Sequence, residues 1–171
     1  EGSTLKEICD NIPLPSNAHF FDRATYFPEL HGLNDIRARL GLRSSFNTIE
    51  KLLTITQSDT AIIGAFHKPF VEKYTALFKD RYKKLIIIKR NEGTPEICSK
   101  CAVSIVENGE VSEIKIDPKY YGIHYVKSTE RISLETSLEL VKNPSKEFQE
   151  LAKFNAAVIL FLTSRVESIE E

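Results

Sequence analysis

An α/β fold is predicted, with a largely parallel sheet built on a βαβ crossover, an antiparallel hairpin at its edge, and flanking helices. Three observations lead there. The runs from Thr60 to Phe66 and from Lys84 to Lys89 are short and nearly all apolar, the pattern of strands covered on both faces. Between them, Pro69 opens a segment that places Phe70, Val71, Tyr74, Leu77 and Phe78 on one helical face, and proline is well suited to a first helical turn. Strand, helix and strand in this order make a right-handed crossover between parallel neighbours. The period then shortens to two: Ala102 to Val106 and Val111 to Ile116 alternate apolar and polar residues around Asn108-Gly109, a pair that accepts the positive φ angles of a tight hairpin.

The remaining elements follow from local signals. Leu5 to Ile8, after Gly2-Ser3-Thr4, reads as a short capped helix that ends before Pro13 and Pro15, because proline cannot continue a helix. A loop carrying His19-Phe20-Phe21 and Tyr26-Phe27-Pro28 comes next. Asn34 is placed to cap a helix over Asp35 to Leu40, and Gly41 sits where a left-handed terminating residue is needed. Phe46, Ile49, Leu52 and Leu53 have the spacing of another short amphipathic helix. Beyond the hairpin, the stretch from Tyr120 to Arg131 reads as a surface excursion. Two helices close the chain, over Leu134 to Val141 and from Pro144 to about Glu167. The second sets Phe148, Leu151, Ala152, Ala156, Ile159, Leu160 and Val166 near helical spacing, the apolar face expected to meet the sheet.

Composition narrows the class of protein. The 171 residues are 42% hydrophobic and 27% charged, with only 7 Gly and 7 Pro, which is ordinary for a compact soluble fold and gives one domain as the default. The longest apolar candidate, Ala156 to Leu162, falls far short of the roughly 18 to 20 residues needed to span a bilayer, so no membrane partner is expected. A net charge of -1 offers no global attraction to polyanions, and any such site has to be a local cluster of Lys and Arg. Three Cys, an odd count, suit a reducing cytoplasm better than a disulfide framework. The chain opens with Glu1 and holds no Met, from which residues upstream are expected.

Cys98-Ser99-Lys100-Cys101 is the sharpest local pattern, since thiols three residues apart can share a metal or form a redox pair. The other Cys and the four His stand nowhere at ligand spacing, and the reading taken is two ordinary cysteines, one inward and one exposed. Arg37, Arg39 and Arg43, with Lys89 and Arg90, are candidates for holding an anion, because arginine grips carboxylate or phosphate through two parallel hydrogen bonds; the competing reading is a set of solvated charges. Glu92 and Glu96 follow the second buried strand, and ligands and metals favour the carboxyl ends of parallel strands. No glycine-rich phosphate loop and no Ser-His-Asp set is present, so no catalytic residue is nominated.

Residues 35–47, Asp-Ile-Arg-Ala-Arg-Leu-Gly-Leu-Arg-Ser-Ser-Phe-Asn, resemble the V-R-x-x-L-G-I-R-T-x-F-N segment of the anthranilate phosphoribosyltransferase family, glycosyltransferase family 3. The likeness continues through Ile63-Gly64-Ala65-Phe66, Tyr121-Gly122-Ile123, and Phe154-Asn155-Ala156-Ala157-Val158 on to Arg165-Val166, and so covers nearly the whole chain. It implies that residues 1–171 are the carboxyl-terminal part of the family's α/β domain, with the amino-terminal helical domain and the donor-binding loop absent. The family moves a phosphoribosyl group from phosphoribosyl pyrophosphate to an aromatic amine acceptor, with Mg2+. In the full-length protein the resemblance implies a homodimer. Carried over residue by residue, Arg37 corresponds to the arginine that holds the acceptor's carboxylate, Asn47 is a second substrate-binding position, and Glu96 is the second member of a metal-binding Asp-Glu pair.

Departures accompany these matches. Pro95-Glu96 stands in place of Asp-Glu, Arg90-Asn91-Glu92-Gly93 in place of G-x-P-G, and Glu50 to Ile55 in place of the G-P-L-T-N-P hinge. The chain alone is therefore expected to be inactive and to carry no cofactor of its own. The same losses resemble a paralogous branch that keeps the fold and binds DNA or RNA, which is the alternative function.

Overall fold

A computed structural model describes residues 5–41, 53, 56–89, 93–126 and 132–170. They fall into two compact units, 1–57 with 129–143 and 58–128 with 144–171. Length gave one domain as the default; neither boundary is marked by a shift in composition.

The first unit is made of short helices: α1 (Leu5–Asn11), α2 (Arg23–Tyr26), α3 (Pro28–Gly32) and α4 (Asn34–Leu40). Asp22 caps α2 by accepting a hydrogen bond from the Ala24 amide at 2.9 Å. Asn34 does not cap α4. It is the first helical residue, and its side-chain oxygen accepts from Arg23 Nη2 at 3.0 Å. Gly41 ends α4 with φ 62, as the sequence requires. The helix expected over Phe46 to Leu53 lies outside the described residues apart from Leu53.

The second unit holds a four-stranded sheet, β1 (Thr60–Ala65), β2 (Lys84–Lys89), β3 (Cys101–Glu107) and β4 (Glu110–Ile116), in that spatial order. Between β1 and β2 runs α5 (Lys68–Phe78), and β1 pairs β2 in parallel with Thr60 opposite Lys84 and Ala65 opposite Lys89. The βαβ unit is thus present. β2–β3 and β3–β4 are antiparallel, so the described sheet is mixed, with the parallel β1–β2 pair and the expected antiparallel hairpin at its edge, docked on β2. Asn108 (φ 53) and Gly109 (φ 81) make its turn, the conformation the pair was expected to adopt.

The first unit also contains α6 (Leu134–Lys142), which packs against α1. The second contains α7 (Lys146–Leu162). Ser133 and Ser145 cap these two helices, accepting from the Thr136 amide at 3.1 Å and the Phe148 amide at 3.2 Å.

Burial centres on β2. Leu85, Ile86, Ile87 and Ile88 are all shut off from solvent, which requires cover on both faces because successive side chains alternate. Ile86 and Ile88 join Val103, Ile116 and the α7 residues Phe154, Val158 and Leu162 in one core cluster. Tyr74 and Phe78 are buried on α5, which packs on β1 and β2.

Two stripes differ from expectation. On α7 the buried residues are Leu151, Phe154, Val158 and Leu162, while Ala152, Ala156, Ile159 and Leu160 are exposed; both rows satisfy helical spacing, and only the sheet decides between them. Leu77 is likewise 60% exposed on α5. α7 ends at Leu162, short of Glu167, because Ser164 turns left-handed at φ 57. Its amide and that of Arg165 close the helix end on Phe161 O (2.9 Å) and Leu160 O (2.8 Å). Lys84 Nζ donates to Ser164 Oγ at 2.8 Å, tying this end to the start of β2.

Candidate functional site

In open α/β sheets the place for a ligand is the crevice beyond the carboxyl ends of parallel strands. Here those ends are Gly64-Ala65 of β1 and Ile88-Lys89 of β2, paired in register. The chain leaving β2 is described again from Gly93 and reaches β3 at Cys101. This loop is clamped at two points.

The first clamp is backbone on backbone. Gly64 is buried, and a Cβ built there would lie 2.5 Å from the Thr94 carbonyl carbon and meet the Gly93 carbonyl as well. Only glycine lets the loop settle on the strand end this closely. Gly93 adopts φ 68, the left-handed turn that lays the loop down.

The second clamp is a side chain. Asn155, one helical turn past Leu151 on α7, accepts the Ile97 amide on Oδ1 at 2.7 Å and donates from Nδ2 to the Ile97 carbonyl at 3.0 Å. The same Nδ2 donates to Leu151 O at 2.9 Å, which fixes the amide's orientation. Ile97 itself is 1% exposed and belongs to the core cluster. A buried backbone pair away from the ladder needs such partners, and Asn155 satisfies both of its groups at once.

Between the clamps stand Thr94, Pro95 and Glu96. Glu96 is exposed, as is Pro95. Thr94 is partly exposed, yet its Oγ1 is closed off from solvent and has no hydrogen-bond partner. Past the end of β1, the rings of Phe66 and His67 meet edge to face, 4.2 Å apart at 81°, just before α5 begins.

The structure thus brings two of the sequence candidates, Lys89 and Glu96, to one strand end and the loop that follows it. Arg37 and Arg39 lie on α4 in the first unit; Arg37 is half-buried, with Nε and Nη2 out of solvent, and Arg39 is exposed. Asn47, Arg43 and Arg90 lie outside the described residues. Gly64 and Asn155 stand in the segments that carry the resemblance but were given no role there, and Thr94 was not singled out.

A magnesium site can be tested on this donor set. Mg2+ is usually held by one or two carboxylates together with substrate phosphates. Of the Pro95-Glu96 pair only Glu96 supplies a carboxylate, and among the described residues no group of three His, Cys, Asp or Glu is gathered for a metal. Among the described residues of this loop Glu96 is the one carboxylate, and Glu92 lies outside them. Cys98 is half-buried and Cys101 buried, neither in a disulfide, in keeping with one inward thiol.

Among the described residues no helix is long and apolar enough to cross a membrane. A profile of the glycosyl transferase family, a/b domain, matches residues 15–171. An uncharacterized protein of Aquifex aeolicus is 32% identical over 178 residues, covering 100% of this chain and 57% of that protein. An anthranilate phosphoribosyltransferase of Caldicellulosiruptor saccharolyticus is 26% identical over 162 residues, 91% of this chain and 48% of its own. Among solved structures, anthranilate phosphoribosyltransferase from Saccharomyces cerevisiae in complex with 4-fluoroanthranilate superimposes with a TM-score of 0.69 at 18% identity, covering 88% of this chain and 47% of that one. The same yeast enzyme in complex with PRPP and Mg gives a TM-score of 0.62 at 18% identity, covering 79% and 42%. The chain spans about half the length of the curated relatives it matches.

Proposed function

Because the chain belongs to the glycosyl transferase family, a/b domain, we propose that it is the anion-binding portion of a phosphoribosyltransferase-like protein whose ligand is phosphoribosyl pyrophosphate. The observation that carries this reading is the doubly clamped loop at the carboxyl ends of β1 and β2, held by Gly64 and Asn155 and presenting Glu96 to solvent. A loop fixed before the ligand arrives loses little entropy on binding, which is how a site made mostly of positioning works. Lys89, Arg90, Arg39 and Arg43 are the cations proposed to meet an anionic ligand. Arg37 holds the carboxylate of an aromatic amine acceptor, and Asn47 is a second contact to substrate.

Transfer by this chain is not expected. Pro95 replaces one of two metal carboxylates, and Glu96 alone neutralises little of the charge on a metal bound with pyrophosphate. Binding is expected to survive that loss and to depend only weakly on magnesium. Calorimetric titration of the intact protein with phosphoribosyl pyrophosphate tests both points. Micromolar binding that changes less than about tenfold, or about 1.4 kcal/mol, when Mg2+ is omitted supports the reading. No heat of binding, or an absolute metal requirement, counts against it. We place the protein in the cytoplasm, on its odd count of three cysteines, and expect the intact protein to be a homodimer.

One specific feature favours a second reading, binding to DNA or RNA without transfer: the carboxylate lost at Pro95 stands in a loop that opens with the basic pair Lys89-Arg90. Phosphate contacts release counterions, so such binding weakens steeply with salt. A mobility shift at low salt that disappears by a few hundred millimolar supports this alternative, and absence of a shift at low salt removes it.

A further inference from the structure

Among the described residues of the clamped loop, Thr94 is the one whose side-chain oxygen the fold closes off without a partner. Its Oγ1 is shut away from solvent and has no hydrogen-bond partner, a condition that costs free energy and is rare in folded proteins. The loop is not free to relieve it. On one side Gly93, at φ 68, rests against Gly64 of β1; on the other, three residues on, both backbone groups of Ile97 are held by Asn155. A backbone shift that found Thr94 a partner would give up one of these clamps. Thr94 as a residue stays partly exposed, and its backbone lies against Gly64 near the carboxyl end of β1.

We propose that the Thr94 hydroxyl is a ligand-binding group of this site, held without a protein partner so that it donates to a phosphate oxygen of the ligand. This rests on the phosphoribosyl pyrophosphate reading and adds a contact to it. An unpaired donor kept in place lowers the stability of the empty protein and is satisfied when an acceptor arrives, the usual pattern where strain or exposed polarity is stored at a binding site.

Thr94→Val keeps the shape and removes the hydroxyl; Thr94→Ser keeps the hydroxyl. Both are titrated in the intact protein with phosphoribosyl pyrophosphate, with inorganic pyrophosphate and ribose 5-phosphate as separate arms that show which phosphate is contacted. Without ligand, T94V is expected to melt about 2–4 °C above the wild type. It should bind phosphoribosyl pyrophosphate, and one of the two smaller probes, about tenfold more weakly, while T94S binds like the wild type. Equal affinity of T94V and wild type overturns the proposal and leaves the reading of the site standing. A T94V variant that melts lower without ligand also overturns it, since the hydroxyl would then have a partner. If the wild type binds none of the three probes, the reading fails and this inference falls with it.

Discussion

Replacing Asn155 by Ala strips the loop after β2 of its side-chain clamp, and the cost can be worked from the contacts. The Ile97 amide loses its acceptor at 2.7 Å and the Ile97 carbonyl its donor at 3.0 Å, while Ile97 stays anchored at 1% exposure by its own side chain. Each buried polar group left without a partner costs about 1–3 kcal/mol. Allowing some entry of water into the space the amide vacates, the pair amounts to about 2–4 kcal/mol. For a chain of this size each kcal/mol lowers the melting temperature by about 2–4 °C, so a fall of roughly 4–16 °C is expected. Asn155→Asp should do no better. It keeps the acceptor for the Ile97 amide but turns a carboxylate oxygen toward two carbonyls, those of Ile97 and Leu151. Circular dichroism melts give the stability, and amide hydrogen exchange at Ile97 reports the clamp itself. Should the melting temperature of Asn155→Ala stay within a degree or two of the wild type while the Ile97 amide remains protected, the loop is held by something else and the clamp argument is wrong.

Gly64→Ala drives a methyl group into the Gly93 and Thr94 backbone; a loss of about 1–3 kcal/mol is expected together with loss of ligand binding, and an unchanged titration curve would show that the loop does not need this seat. Ser164→Gly exchanges a left-handed serine at φ 57 for the residue that adopts that conformation freely, at the cost of the 2.8 Å hydrogen bond from Lys84. The two effects are each about 1 kcal/mol and oppose one another, so urea unfolding should place this variant within about 1 kcal/mol of the wild type. Ser164→Val loses both and should fall well below it; equal losses in the two variants would refute the account. The Glu147 carboxyl is held below its ordinary value of 4.5 by its own backbone amide and then by the Ser145 hydroxyl at the start of α7. A depressed folded value means its contribution is present above 4.5 and disappears as pH falls through the lower folded value. An NMR titration midpoint at or above 4.5 would contradict this.

How much of this was legible depends on whether a signal was local. β1 and β2 were readable because four consecutive isoleucine and leucine residues, Leu85 to Ile88, have no second use in a protein of this size; the hairpin was readable because Asn108-Gly109 accepts positive φ angles that few other pairs tolerate. Gly41 was readable for the same reason. The burial of α7 was not. Ala152, Ala156, Ile159 and Leu160 satisfy the helical period as well as Leu151, Phe154, Val158 and Leu162 do, and the choice is made by Ile86, Ile88 and Val103 on the sheet. The hairpin was expected at an edge of the sheet, but its sequence fixes only its own pairing and not the strand it docks on. At the site, Glu96 and Lys89 stood out by charge and position, whereas Gly64, Thr94 and Asn155 act through contacts with residues 29 to 58 positions away. No window of sequence contains both halves of such a contact.

The form of the loop also bears on what kind of chemistry it can support. A paired-carboxylate metal site needs its ligands aimed, and aim comes from a rigid backbone; here Gly64 and Asn155 supply that rigidity, yet the position that would carry the first carboxylate is Pro95. Proline narrows the backbone further while offering no side-chain donor. On the proposed reading the scaffold for positioning is kept while Pro95 offers no carboxylate, a combination suited to recognition. Recognition of a polyanion asks only for fixed donors and nearby cations, and the proposed reading draws on Thr94 in the loop and Lys89 at the end of β2. On the function proposed above, the site is expected to hold a phosphate-bearing ligand better than it transforms it.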